Sequence, residues 1–326
     1  MNAQLRARCD RQVENEKAFR NMATLVSESS VKVGALLYTS LDLPVNDDNI
    51  YESKKILESR EGFFSSFQGA LQALILIRMT VSRDPAAYID AVISTYERLE
   101  KKTGISGLFV VLSSVIIAEQ RKGQDILSAA DQIADLFTSI KKHHPEWSNA
   151  PELAYVSLMF LSGKADIGLE DEKERIYKSL REKMDITDDA ARATTHVLMT
   201  NSKSSDVKVD QFVNFYNRIS TAGHATTNNQ YMSIYAAFVD LTYLEKLGIP
   251  ESETIASIGE VDDYLKKKPG YGRFSINKDM RKVIAAALTL QHYTLDIPRE
   301  KHTDFHPEVS LEMLLFIILV SLVTIS

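Results

Sequence analysis

The sequence predicts an all-α fold of stacked helical hairpins, because a hydrophobic pattern recurs about every 40 residues and its apolar spacing is helical. The repeat is clearest where an aromatic residue is followed three positions later by an aliphatic one. These pairs are Tyr96 and Leu99, Phe137 and Ile140, Tyr177 and Leu180, and Tyr216 and Ile219. Their aromatic residues are 41, 40 and 39 residues apart. Such a period is typical of hairpins that bury their apolar faces only against neighbouring copies.

The spacing inside a repeat shows that its segments are helices. Ile126, Ala130, Ile133, Phe137 and Ile140 follow one another at intervals of four, three, four and three residues, which places them on one stripe of a helix. No convincing run alternates apolar and polar residues, and no Asn-Gly or Asp-Gly hairpin turn occurs. The fold class is therefore all-α, and both an α-solenoid-like array and an irregular helical bundle remain open.

Each unit begins with a strongly apolar helix and continues with an amphipathic one. The first helices are predicted to start near Val31, Ala70, Gly107, Glu152, Ala190, Tyr231 and Val283. Helices that are apolar around most of their circumference are buried between layers, so the charged partner helices should face outward. The predicted organisation is an N-terminal helix over residues 1–30, a single-domain array over 31–310, and a hydrophobic C-terminal helix over 311–326.

The composition of the 326 residues is that of a globular protein, with 44% hydrophobic and 25% charged residues. The net charge of −6 argues against nucleic acid as the main partner. The single cysteine, Cys9, excludes an internal disulfide and fits a reducing cytoplasm. The charged N-terminus is not a secretory signal. The expected location is cytoplasmic.

The C-terminal segment is a nearly continuous apolar run from Met313 to Ile325. It is shorter than the roughly 17 residues that a membrane-spanning helix needs. We expect a buried last helix that closes the array. Membrane association through this segment is the alternative.

The strongest local cluster of charge lies in residues 266–282, where seven basic residues face one acid, Asp279. Pro269 and two glycines predict a loop with exposed rings, followed by a helix whose N-terminus attracts anions. The predicted ligand- or partner-binding residues are Lys268, Tyr271, Arg273, Lys278, Arg281 and Lys282. A phosphate, a nucleotide or an acidic peptide would suit them, although no phosphate-binding fingerprint is present. A solvated basic loop explains the same residues without function.

The other chemically notable residues have structural interpretations. His302 and His306 lie between two prolines and fall short of a metal site, and His196 is expected to be a hydrogen-bonded interior histidine. Cys9 has no base near it in the sequence, and the phenylalanines of residues 62–69 fit a packed helical corner. The sequence therefore predicts no catalytic residue, no metal and no cofactor.

Several phrases of the chain resemble a known family. They are GFFSSFQG at residues 62–69 before a long apolar helix, a helix ending in Tyr-Glu-Arg-Leu at 96–99, the Gly-Ile-Ser-Gly junction at 104–107, and the Gly-Tyr-Gly loop at 270–272. The family is an uncharacterised domain-of-unknown-function family of low-GC Gram-positive bacteria. The resemblance covers most of the chain and implies a cytoplasmic bacterial protein, but no activity.

Three functions remain open on this basis. The first is a non-catalytic protein or peptide binder, because stacked hairpins offer an extended concave surface. The second is an enzyme that acts on a phosphorylated or anionic substrate near residues 266–282. The third is a membrane-associated protein anchored by the C-terminal run.

Overall fold

The computed structural model describes residues 1–22, 28–60, 70–121, 125–143, 145, 150–164, 169–201, 203–272, 275–295, 313–315, 317–319 and 321. Its α-helices are α1 (Ala3–Met22), α2 (Glu28–Ser40), α3 (Asp47–Glu58), α4 (Ala70–Val81), α5 (Pro85–Thr103), α6 (Leu108–Gln120), α7 (Ile126–His143), α8 (Ala150–Leu161), α9 (Leu169–Lys183), α10 (Asp188–Met199), α11 (Ser205–Thr221), α12 (Ser233–Ala236), α13 (Glu251–Leu265) and α14 (Lys278–Leu295). Two 3₁₀ helices cover Asn229–Tyr231 and Ala237–Leu247, and the latter is called the 3₁₀ segment below. The described ranges contain no strand, so the all-α prediction is confirmed.

The even-numbered helices form an inner layer and the odd-numbered helices an outer one. Every residue of α6 from Val110 to Ala118 is buried, as is every residue of α14 from Asp279 to Tyr293. The outer helices bury one stripe each. On α7 that stripe includes Phe137 and Ile140. The pairs Tyr96 with Leu99 and Tyr216 with Ile219 are also buried, whereas in the third pair Leu180 is buried and Tyr177 is half-buried.

Short polar side chains and one proline set where several outer helices begin. The Asp84 side chain accepts a hydrogen bond from the backbone N–H of Ala87, and Pro85 occupies the first turn of α5. That helix ends at Gly104, which adopts φ +70°. A side chain at this backbone conformation would be strained, so glycine is the residue that lets the chain leave α5 and enter α6.

The first and last hairpins are in contact, so the two-layered array is closed. The inner helices meet in the order α2, α4, α6 and α8, then α10, α12, α14 and again α2. Glu152 on α8 contacts His196 on α10 and continues the inner layer between those two runs. Gln291 on α14 donates a hydrogen bond to the carbonyl of Leu36 on α2 over 3.3 Å. Of the two arrangements left open, these contacts favour a closed helical bundle over an open solenoid.

Ion pairs link successive outer helices at repeating positions. A basic residue late in one helix meets an acid early in the next outer helix, and the same contact joins the end of the array to α1. The pairs are Arg60 with Asp90, Arg98 with Asp131, Lys183 with Asp210, Arg218 with Glu251, and Lys268 with Asp10. The charged outer face expected from the sequence is therefore confirmed, and its charges are matched between neighbours.

Six of the described residues of the C-terminal run are buried, and Ser321 is half-buried. Met313, Leu314 and Leu315 are at most 4% exposed, and residues 317–319 are at most 1% exposed. At 3.6 residues per turn these six positions cover about two thirds of the circumference of a helix, so most of its surface packs against the rest of the protein. The expected buried last helix is confirmed over these positions. None of the helices within the described ranges is long and apolar enough to cross a membrane.

Candidate binding site

Lys268, the first residue of the predicted basic site, is held by the N-terminal helix. Its Nζ lies 2.7 Å from Oδ1 of Asp10 and 4.4 Å from the centre of the Tyr264 ring. The hydroxyl of Tyr264 donates to the same carboxylate over 2.8 Å. Partial burial would raise the pKa of Asp10, but the hydrogen bonds from Lys268 and Tyr264 outweigh it and lower the pKa. The contact joins the end of α13 to α1.

Tyr271 lies inside the protein, so the expectation of an exposed ring at this position is wrong. Its side chain is fully buried, and its hydroxyl donates to the carboxylate of Glu16. Nζ of Lys32 lies 4.0 Å from the centre of its ring and 2.7 Å from Oε2 of Glu16. Glu16 and Lys32 belong to α1 and α2, so these two helices supply the polar partners that make burial of the ring favourable.

Arg281 and Lys282, in the first turns of α14, are buried and have hydrogen-bond partners. Nε of Arg281 lies 2.7 Å from Oδ1 of Asp262 on α13, and both side chains are about nine-tenths buried. Lys282 donates to the carbonyls of Gly223 and Ala225, and burial lowers its pKa. Lys278 is exposed. Arg273 lies outside the described residues.

The predicted basic site is thus largely a structural joint. We call Asp10, Glu16, Lys32, Asp262, Lys268, Tyr271 and Arg281 the closure cluster, because they connect the two N-terminal helices to the last hairpin. A buried ion pair has little affinity left for an incoming anion, since that anion would have to displace an internal carboxylate. Of the six predicted residues, Lys278 is exposed, and Lys268 is 28% exposed in an ion pair with Asp10 on the outer face.

His196 is an interior histidine with hydrogen-bond partners, as predicted. Its Nε2 lies 2.5 Å from Oε2 of Glu152, and its ring stacks on Tyr155 with centroids 4.6 Å apart. Nζ of Lys173 lies 2.5 Å from the other oxygen of Glu152. The three charged or polar groups come from α8, α9 and α10 and are at most 4% exposed. Burial would raise the pKa of Glu152, but His196 and Lys173 together lower it.

The remaining candidates provide no chemistry within the described residues. Burial raises the pKa of the Cys9 thiol to about 12, which keeps it protonated and unreactive. In the part of the chain that the structure describes, no group of three or more His, Cys, Asp or Glu residues could hold a metal ion. His302, His306 and the phenylalanines of residues 62–69 lie outside that part.

A cavity of about 160 Å³ lies between α11, the 3₁₀ segment and α13. Its apolar lining consists of Phe215, Phe238, Val239, Leu241, Leu244 and Ile249. The rings of Phe215 and Phe238 stack with centroids 5.1 Å apart and an interplanar angle of 16°. An apolar hollow with a stacked aromatic pair in its wall is a typical place for an apolar group to bind.

The polar residues that line this cavity are Gln211, Glu245, Glu251 and Thr254. Glu245 is exposed, and Glu251 pairs with the exposed Arg218 over 3.0 Å. Gln211 accepts a hydrogen bond from Nζ of Lys203 over 2.8 Å. The same Nζ donates to the carbonyl of Val239 over 3.2 Å. The ammonium group of Lys203 is therefore engaged within the protein, whereas the carboxylate of Glu245 is exposed to solvent.

The wall of the cavity is an irregular element of the inner layer. The 3₁₀ segment is 11 residues long, although 3₁₀ helices longer than three or four residues are uncommon and often mark a functional hinge. A 3₁₀ helix has about three residues per turn and is narrower than an α-helix. The 3₁₀ segment therefore leaves a gap beside it that a wider α-helix would occupy, and the neighbouring side chains do not fill this gap.

Comparison with known proteins identifies the family. The model of a family described as "Protein of unknown function (DUF4003)" matches residues 17–323. The chain belongs to the DUF4003 family. The resemblance to an uncharacterised family is thereby confirmed, and the bacterial source remains a prediction. Neither the curated proteins nor the solved structures gave a match.

For this DUF4003 protein, sequence reasoning missed the cavity and the partners of the buried charges. Glu152 and His196 are 44 residues apart, and Tyr271 and Glu16 are 255 apart. One signal was present in the sequence: Glu152 stands at the start of an otherwise apolar helix, where a buried acid needs a cationic partner. No local pattern identifies that partner.

Proposed function

We propose that this protein is a non-catalytic binder of a protein or peptide, and that the cavity between α11, the 3₁₀ segment and α13 is its binding site. The carrying observation is an apolar hollow with an exposed carboxylate at its rim, formed where the inner layer departs from α-helical geometry. Because α6 from Val110 to Ala118 and α14 from Asp279 to Tyr293 are buried throughout, these inner helices offer no open concave surface, and a partner would contact the ends or the outer faces.

The dimensions of the cavity support this proposal. A cavity of about 150 Å³ lined by aliphatic and aromatic side chains accepts one benzene molecule. A hollow of about 160 Å³ therefore suits one apolar side chain better than a nucleotide or a sugar. Protein partners commonly gain most of their binding energy from one such anchor in a well-packed pocket.

The two alternative functions receive less support from the geometry. An enzyme acting on an anion needs cations that are available to it, but Lys268, Arg281 and Lys282 contact internal acceptors. Association with a membrane through the C-terminal run needs that run to leave the core, where its described residues are almost fully buried. We also propose a cytoplasmic location in a bacterium, which fractionation of the native host would test.

Cross-linking with a cavity-filling variant tests the proposed site. Val239→Phe places a ring in the hollow, whereas Leu127→Phe adds a ring at an exposed position of α7 and serves as the matched control. Wild-type protein and both variants would be cross-linked in cells of the source organism. The cross-linked peptides would be mapped by mass spectrometry.

We expect a partner whose cross-links surround the cavity, with its recovery lost in Val239→Phe and retained in Leu127→Phe. Thermal melts of the purified variants show whether each is folded. Unchanged recovery with a folded Val239→Phe variant, or cross-links confined to another face, would contradict the assignment of the site.

A further inference from the structure

We infer that the partner segment carries a leucine- or phenylalanine-sized side chain next to a lysine or arginine. This inference rests on the proposed function and names the chemistry that the same cavity would select. It combines two observations: the volume of the apolar hollow and the sign of the charge at its rim.

The volume selects the size of the anchoring side chain. Phe215, Phe238 and Leu244 lie in the wall and are at most 5% exposed, so the hollow extends into the core. Its 160 Å³ matches one benzene-sized group. A serine or alanine side chain would leave most of the hollow empty. A charged group would find no partner among the six apolar lining residues and would have to lie near Gln211, Glu245 or Glu251.

The rim selects the residue beside the anchor. Glu245 is exposed, and the carboxylate of Glu251 is shared with Arg218, which is itself 65% exposed. A surface ion pair of this kind contributes little and exchanges readily. The nearby cation Lys203 contacts Gln211 and the carbonyl of Val239 and does not itself line the cavity. A basic residue adjacent to the anchor would therefore meet carboxylate, and an acidic residue would be repelled.

The charge of the whole chain acts in the same direction. The net charge is −6, so a basic segment is attracted to this protein from a distance and an acidic one is not. Of the possible occupants, an apolar peptide with an adjacent cation is thus the one that both the shape and the charge favour. The expected preference weakens as salt is added, because the rim is in contact with solvent.

Labelled peptides of defined sequence test the inference. The probes are four fluorescein-labelled octapeptides, Gly-Ser-Gly-X-Z-Gly-Ser-Gly, in which X-Z is Leu-Lys, Phe-Lys, Ser-Lys or Leu-Glu. Their binding to the full chain would be measured by fluorescence anisotropy. We expect Leu-Lys and Phe-Lys to bind about tenfold more tightly than Ser-Lys. Leu-Lys should exceed Leu-Glu by about two- to fivefold at low salt.

Variants separate the two parts of the preference. Glu245→Gln should reduce the difference between Leu-Lys and Leu-Glu, and Glu97→Gln, an exposed position on α5, should leave it unchanged. Val239→Phe should remove the difference between Leu-Lys and Ser-Lys. If that variant does not fold, Thr254→Met fills the same hollow with a flexible side chain.

Three results would overturn the inference. They are equal binding of Leu-Lys and Leu-Glu, equal binding of Leu-Lys and Ser-Lys, and no binding of any probe at millimolar concentration. The proposed function has a different test. A partner cross-linked around the cavity through a segment without an apolar and basic pair would preserve the binding function and eliminate this specificity.

Discussion

Replacing Glu152 by glutamine should destabilise the protein more than any exposed substitution. The change keeps the shape of the side chain and removes one charge from a group that is about 2% exposed. Lys173 is equally buried, so its ammonium group would lose the carboxylate that lies 2.5 Å away. His196 would lose the same charged partner.

The size of the effect follows from the burial of all three groups. Removing one partner of a buried ion pair typically costs about 3–5 kcal/mol, because an uncompensated charge remains inside. For a chain of this length, that corresponds to a fall in melting temperature of about 5–8 °C. The double variant Glu152→Gln with Lys173→Met removes both charges. It should cost about 1–2 kcal/mol less than the single variant, because it removes the buried ammonium group that, in the single variant, has lost Glu152 and keeps Glu170 at 3.4 Å.

Circular dichroism at 222 nm during urea and thermal unfolding measures these differences. Glu97→Gln, at an exposed position of α5, is the matched control and should change stability by less than about 0.5 kcal/mol. The reasoning is refuted if Glu152→Gln behaves like this control. The single variant Lys173→Met would be measured as well. If the destabilisations of the two single variants simply add in the double variant, Glu152 and Lys173 are not energetically coupled.

Three further predictions concern the closure of the array, the C-terminal run and the pH dependence of stability. Asp262→Asn leaves the buried Arg281 guanidinium without its charged partner and should cost about 3 kcal/mol in a thermal melt, against at most about 1 kcal/mol for Asp131→Asn on the surface. Deleting residues 313–326 should uncover the apolar surface against which the buried residues of this run pack, which size-exclusion chromatography would detect as aggregation. A monodisperse truncated protein would contradict a structural role for this run. The pKa of Glu152 is below its ordinary value of 4.5. The contribution of its carboxylate to stability is therefore present above that pH and is lost as the pH falls further. The wild-type protein should lose stability below about pH 4.5 more steeply than Glu152→Gln does.

The positions of the inner helices were predictable because their apolar runs are long and regular. Starts expected near Val31, Ala70 and Gly107 correspond to α2, α4 and α6. Periodicity is a strong signal in such helices, since every face has to be apolar to be buried. The 3₁₀ segment was not predictable, because its composition resembles that of the α-helical inner segments and its geometry depends on what packs beside it.

The candidate site was the harder part to predict from sequence. The basic residues of 266–282 indicated an exposed anion site, but acids from α1 and α13 neutralise several of them. The local sequence around a basic residue is the same whether its side chain faces solvent or pairs with a carboxylate from a distant helix. Local sequence therefore cannot distinguish the two cases. The cavity beside the 3₁₀ segment is formed by three elements together, and none of its lining residues is unusual in its local sequence.

The amino-acid sequence by itself determined the repeating two-helix unit, the division into apolar inner and charged outer helices, and the burial of the last apolar run. These features depend on the spacing of side chains along one helix, which is a local property. Only the tertiary structure decided that the array closes, that Tyr271 is an interior residue and that a hollow opens beside the 3₁₀ segment. Each of these three features depends on contacts between residues that are far apart in the chain, so the sequence of any one segment does not determine it.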